Sequence, residues 1–157
     1  MEDRPVIMVQ VEDPQWTADV LHAACRLARN CGGEIALVHM VRVRSLLYLG
    51  TDFGYLDLSD EDKQRLAGYV ETAEDYGLPH SVTLYQYSDL YEGIVDAVEL
   101  VGACVAFGRL PKSVIPFWRE CRFELLRNRL SHQHVELFDG PGAWGELATS
   151  RRTPIEV

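Results

Sequence analysis

One stretch limits what this chain can become: Pro5-Val6-Ile7-Met8-Val9-Gln10-Val11 is almost continuously apolar and rich in β-branched residues. A strand of that kind has no solvent face, so it belongs at the centre of a sheet covered on both sides, which is the habit of parallel sheets. Parallel neighbours need long crossovers, and the chain supplies one at once. Glu12 to Trp16 reads as a turn and Thr17 as a helix cap. After it Val20, Leu21, Ala24, Leu27 and Ala28 recur at the i, i+3, i+4, i+7 spacing of a helix with one buried face. Asn30 to Gly33 ends that helix, with glycine for a left-handed cap, and Glu34 to Val43 reads as a second strand. A strand, a helix and a strand within about 40 residues make a right-handed βαβ unit.

The alternation continues. Arg44 to Leu58 mixes aromatics, glycines and aspartates without a period and reads as a surface loop, of a length typical of binding or lid segments. Ser59 followed by three acids opens a second helix, expected to run to about Tyr76 and to stop at Gly77-Leu78-Pro79. His80 to Tyr87 alternates as a strand, with Val82, Leu84 and Gln86 on one face and Ser81, Thr83, Tyr85 and Tyr87 on the other. Ser88-Asp89 caps a third helix whose stripe is Leu90, Ile94, Ala97, Val98 and Val101, closed by Gly102. The strand Ala103 to Phe107 follows. A fourth helix from Ile115 to Leu130 then carries Trp118, Leu125, Leu126 and Leu130, with Pro116 in its first turn, and His134 to Phe138 is a last strand. The sum is an α/β domain over residues 4–139: a doubly wound, mainly parallel five-stranded sheet flanked by four helices. Residues 140–157 form an irregular tail or an arm that packs on a partner.

Charge narrows the partners. With 157 residues, 47% of them hydrophobic, the chain suits one domain with its own core. A net charge of −9 repels nucleic acid and anionic membranes over most of the surface, so neither is expected as a partner. Between Arg109 and Arg129, six basic residues against two acids leave that segment four charges positive and the remainder thirteen negative. A local cationic patch on an acidic body suits a small anion. Cys25, Cys31, Cys104 and Cys121 include no C-x-x-C pair, so reduced, mostly buried thiols are expected rather than a zinc or redox motif. Neither a leader pattern nor a membrane-spanning run is read in the sequence, which makes the cytoplasm the expected location.

The candidate ligand site is the junction Val105-Ala106-Phe107-Gly108-Arg109-Leu110-Pro111-Lys112-Ser113. An apolar strand that stops at glycine, turns within a few residues and feeds a helix brings free backbone N–H groups and a helix N-terminus to one point, a setting for an anion. Arg109, Lys112 and Ser113 can grip a phosphate or carboxylate beside Gly108; the alternative is a solvated basic face. Glu12 and Asp13 stand at the carboxyl end of the first strand, where open α/β sheets bind ligands, or they only solvate the turn and favour the helix N-terminus.

Four features make the chain similar to the universal stress protein family. They are Val11-Glu12-Asp13, where the family shows valine-aspartate-glycine; the strand Ala36-Leu37-Val38-His39-Met40-Val41, similar to its leucine-histidine-valine strand; Ser88-Asp89 before the third helix, like its glycine-aspartate-proline; and a fourth strand ending at Gly108-Arg109. The resemblance spans about residues 4–139 and implies the doubly wound fold. Nucleotide-binding members continue from the fourth strand with glycine, two residues, glycine, nine residues, then glycine with serine or threonine. Gly108 matches the first glycine, but Pro111 stands at the second and Cys121-Arg122 at the later pair. Proline has no N–H for a phosphate, and side chains at glycine positions obstruct backbone approach. The resemblance therefore implies a member with a degenerate nucleotide loop: a small non-enzymatic regulatory or binding protein of the stress response, with no cofactor expected. It also implies a homodimer through the last strand near Val135-Glu136-Leu137-Phe138, an edge that needs cover. The alternative is an ATP- or ADP-binding, slowly hydrolysing member. That one would use Gly108, Arg109, Lys112 and Ser113 around the phosphates, with Glu12 or Asp13 near the ribose or a magnesium ion.

Other residues read as structural. His39 lies mid-strand and is expected to be a hydrogen-bonded core histidine, since no nucleophile motif accompanies it. His132 and His134 are not read as a metal-ligating pair. Tyr85, Tyr87 and Tyr91 form an aromatic cluster read as packing rather than a platform for a base. No catalytic residue is singled out, because the sequence has neither a nucleophile elbow nor a Walker glycine-lysine motif.

Overall fold

The apolar run forms β1 (Val6–Val11), and it takes the central place that its lack of a polar face demands. The computed structural model describes residues 3–43, 58–111 and 115–142. In it β1 is followed by α1 (Pro14–Cys31), β2 (Glu34–Arg42), α2 (Asp60–Asp75), β3 (His80–Tyr87), α3 (Leu90–Val101), β4 (Ala103–Phe107), α4 (Pro116–His132) and β5 (Glu136–Phe138). Every pairing in the sheet is parallel, in the order β3-β2-β1-β4-β5.

Alternate residues of β1 feed two separate cores, as the period of a strand requires. On one face Val20, Leu21, Ala24 and Ala28 of α1 and Leu66, Tyr69 and Ala73 of α2 pack against Ile7, Val9, Ile35 and Leu37. On the other, Ile94, Ala97 and Val98 of α3 and Phe123, Leu126 and Leu130 of α4 pack against Met8, Val38, Ala106 and Leu137. The chain builds outward from β1 to β3, then returns across β1 to add β4 and β5. Right-handed crossovers require the helices to change face when the direction reverses. That reversal makes the carboxyl ends of β1 and β4 the topological switch point, where open sheets leave a crevice.

Local chemistry sets the helix ends, and several differ from expectation. α1 begins at Pro14, not beyond Thr17: Asp13 is the N-cap, its Oδ1 accepting from the Trp16 N–H at 3.0 Å, and proline costs nothing in a first turn with no intrahelical N–H bond to lose. Thr17 is fully buried in that turn, and its Oγ1 accepts from the Glu12 N–H at 2.9 Å. Gly32 closes α1 at φ 68°, a left-handed conformation that suits glycine. α2 and α3 start at the expected caps, with Ser59 Oγ accepting from the Asp62 N–H at 3.1 Å and Asp89 Oδ2 from the Glu92 N–H at 3.3 Å.

β5 is three residues long rather than five. His132 ends α4 and His134 sits in a left-handed turn at φ 62°, so neither histidine is on a strand. In α4 the residues facing the sheet are Phe123, Leu126 and Leu130, whereas Trp118 and Leu125, expected in its buried stripe, are 58% and 61% exposed. The thiols also depart from expectation: all four are free, but only Cys25 is buried, Cys31 and Cys104 being exposed and Cys121 intermediate. Burial pushes the Cys25 thiol up to about 11, which leaves it protonated and unreactive. The expected loop over 44–58, apart from Leu58, and the tail beyond 142 lie outside the described residues.

Candidate functional site

The switch point is organised by a residue that an apolar run hides. Gln10, in β1, is fully buried. A buried amide must have partners, and this one finds them on both sides of the switch point. Its Oε1 accepts from the Arg109 N–H at 3.1 Å, and its Nε2 donates to the Arg109 carbonyl at 3.3 Å and to Glu12 Oε1 at 2.5 Å. The side chain thus ties the end of β1 to the residues that follow β4. Gly108 is required by the same arrangement, because a Cβ there would lie 2.9 Å from Gln10 Oε1. The Gly108 N–H donates to the Phe138 carbonyl at 2.9 Å, which adds β5 to the assembly.

Charged groups close the outer part. Arg109 Nη1 donates to Asp13 Oδ2 at 2.7 Å, and its guanidinium lies 5.3 Å from the centre of the Trp16 ring. Trp16 Nε1 donates in turn to the Asp139 carbonyl at 2.8 Å. Asp13 therefore has two tasks: one oxygen caps α1 and the other holds Arg109. Glu12 reaches solvent, yet partial burial raises its carboxyl above the usual range, opposed by the hydrogen bond from Gln10 and the charge of Arg109, while Asp13 raises it further. The Glu12 charge also helps to raise the Tyr87 phenol, after burial, so the end of β3 borders the same edge.

Of the residues predicted for a ligand, the structure brings together Glu12, Asp13, Gly108 and Arg109; Lys112 and Ser113 lie outside the described residues. The expected free cationic patch is largely neutralised within the chain. Besides the Arg109 pair, Arg122 reaches Asp89 at 3.6 Å, Arg127 reaches Glu124 at 2.6 Å, and Arg129 reaches Glu92 at 2.6 Å. An anion that binds at Arg109 would share the guanidinium with Asp13 or compete with it. Gln10 and Trp16 are missing from the predicted set; a lone amide inside a continuous apolar strand is the signal that identifies the first, and nothing in the spacing of Trp16 identifies the second.

The remaining candidates resolve simply. His39 is half-buried, but its Nδ1 is buried with no hydrogen-bond partner, contrary to expectation; desolvation lowers its pKa, with the Asp62 charge acting the other way. Tyr91 lies between Arg122 and Arg129, whose guanidinium carbons are 5.9 and 5.7 Å from its ring centre. Among the described residues no group of three His, Cys, Asp or Glu side chains is placed to hold a metal ion, and no helix is long and apolar enough to cross a membrane.

No protein-family model matches the sequence, and no curated protein is similar to it at the sequence level. Solved structures are similar in fold. A universal stress protein family member from Burkholderia pseudomallei aligns with a TM-score of 0.60 at 17% identity, over 85% of this chain and 92% of that one. A universal stress protein from Archaeoglobus fulgidus in complex with dAMP aligns with a TM-score of 0.55 at 18% identity, over 88% and 98%. A universal stress protein family protein from Arabidopsis thaliana with AMP bound aligns with a TM-score of 0.52 at 15% identity, over 85% and 89%. At these identities the likeness is one of fold: the chain has the α/β fold of universal stress proteins.

Proposed function

We propose that this chain is a universal-stress-type regulatory or binding protein without enzymatic turnover, acting in the cytoplasm as a homodimer through β5, and that its crevice does not hold ATP through a phosphate cradle. The observation that carries this reading is the Asp13–Arg109 ion pair, fixed from behind by Gln10. The cation best placed for a phosphate already has a carboxylate at 2.7 Å, and Pro111 offers no N–H two residues later. Glu12 adds a second carboxylate at the same edge, so a triphosphate would meet more negative than positive charge from the described groups. Among the described residues, the hydrogen bonds of this edge pair no serine, threonine or cysteine with a histidine base. The position of β5 at the edge of the sheet supports pairing between copies, since a sheet edge is a template on which a second strand can add.

A second reading, an adenine-nucleotide binder, is favoured by the neighbours solved with dAMP and AMP. Thermal shift separates the two. A site of micromolar affinity at millimolar ligand stabilises the native state by about 4 kcal/mol, on the order of 10 °C for a domain of this size. The expected result is no shift with Mg-ATP, ADP or AMP and no phosphate release above background. A rise of several degrees, or nucleotide copurifying with the protein, establishes the second reading instead. Light scattering at low concentration tests the pairing, for which a persistent monomer is the adverse result.

A further inference from the structure

α4 is apolar on two faces. Phe123, Leu126 and Leu130 recur at i, i+3 and i+7 and are buried against the sheet. On the opposite side Phe117, Trp118 and Leu125 are 68%, 58% and 61% exposed, with the half-buried Cys121 one turn from each of them. These three make up half of the six large apolar side chains exposed among the described residues. A helix on the surface of a monomer normally turns charged and polar groups outward, so a second apolar face calls for a partner.

We propose that this outer face of α4 is a self-association surface on which a second copy of the chain docks, Phe117, Trp118 and Leu125 meeting their counterparts around Cys121. Area and charge select a second copy. Large aromatic side chains carry about 150–250 Å² each, so the exposed parts of these three residues amount to roughly 350–400 Å² per copy. Doubled, and surrounded by the usual polar rim, that makes a contact of about 1,200 Å², the lower bound of specific interfaces. The flanking arginines Arg122, Arg127 and Arg129 already pair with Asp89, Glu124 and Glu92 of their own chain. The face thus offers little unpaired positive charge to an acidic segment or an anionic surface, and self-contact sets few unpaired like charges against each other. A two-fold contact is also self-complementary by construction. This surface is separate from the β5 edge, because residues opposite Phe123, Leu126 and Leu130 on the helix point away from the sheet.

The test is the mass in solution of the full chain, measured by light scattering and sedimentation for the wild type and for the double variant Trp118→Glu/Leu125→Glu. Both positions are exposed, so circular dichroism and the melting temperature of dilute protein should stay unchanged. The expected result is a loss of one level of assembly, tetramer to dimer or dimer to monomer, with at least a roughly 100-fold weaker dissociation constant, as for removal of a central aromatic anchor. A second readout uses Cys121. In a Cys31→Ser/Cys104→Ser background, a short bismaleimide should join two chains through Cys121, and adding Cys121→Ser or Leu125→Glu should abolish the product. A wild-type dimer whose mass and cross-link ignore Trp118→Glu/Leu125→Glu overturns this contact while leaving the β5 pairing intact. A wild-type monomer overturns both, and is also the result if the face serves vesicles or an unrelated protein.

Discussion

α1 and α4 begin at the same edge of the sheet, both open with proline, and are 18 and 17 residues long, yet they are built differently. α1 has a side-chain cap, a buried first-turn threonine and its fully buried residues on one side; the residues that start it also make the crevice. α4 has no side-chain cap and carries apolar residues on both sides. The difference shows what each start is for. Where polar groups lock the chain, as at Asp13, one geometry is held for a site. Where the pattern exceeds what the core needs, as at Phe117 and Trp118, the surplus is available to another surface.

The largest test of this contrast lies inside α4. Leu126→Ala removes a fully buried side chain and should cost about 3 kcal/mol in urea unfolding, whereas Leu125→Ala, one residue away, should change dilute protein by less than about 0.5 kcal/mol. Equal losses would place both residues in the core and abolish the two-faced description. Next in size is Gly108→Ala, which drives a methyl group against Gln10 Oε1 and should cost about 2 kcal/mol by parting the amide from the Arg109 N–H. Asp13→Ala should cost about 1 kcal/mol through loss of the α1 cap, while Asp13→Asn keeps the cap and should lose less. If the two variants fall equally, the ion pair and not the cap stabilises the start of α1.

The smallest effect is a pH dependence at Glu12. Its folded-state pKa is raised, first by burial, so the folded chain retains a proton that the unfolded chain releases once pH passes 4.5. That contribution to stability is present below 4.5 and fades as pH rises through the folded pKa. Glu12→Gln should therefore melt slightly above the wild type at pH 7, by no more than about 2 °C given the solvent around the carboxyl, and match it near pH 4. A lower melting temperature for Glu12→Gln at pH 7 would show that the charge of Glu12 stabilises the crevice.

Most of the fold is legible in the sequence because its periods do not conflict. β3 and β4 fall on the expected residues and β1 within one residue of them, and α2 and α3 start at their serine and aspartate caps, since apolar runs, helical stripes and capping side chains all point to the same boundaries. The start of α1 misleads because Asp13 and Thr17 are both capable caps, and only the bond from the Glu12 N–H to Thr17 decides between them. In α4, Leu125 and Leu126 are adjacent and equally apolar, so composition gives no phase; packing on β4 and β5 chooses Leu126. The crevice is half legible. Glu12, Asp13, Gly108 and Arg109 follow from their place at the ends of β1 and β4. The pairing of Arg109 with Asp13, and the part of Gln10, depend on contacts across nearly a hundred residues of chain, which no local pattern encodes.

The central position of β1 also has a consequence for how the chain is made. Its partners on one side arrive early, because β2 begins at Glu34, but on the other side Val9 faces Phe107. At about 5–20 residues per second, a ribosome adds the intervening stretch in roughly 5–20 s. Through that interval three strands with their two helices can assemble while one long margin of β1, a strand with a single polar residue, has no neighbour. The chain therefore emerges with an adhesive seam that only β4 can close. Substitutions in β4 that leave the finished protein stable should still raise aggregation during synthesis.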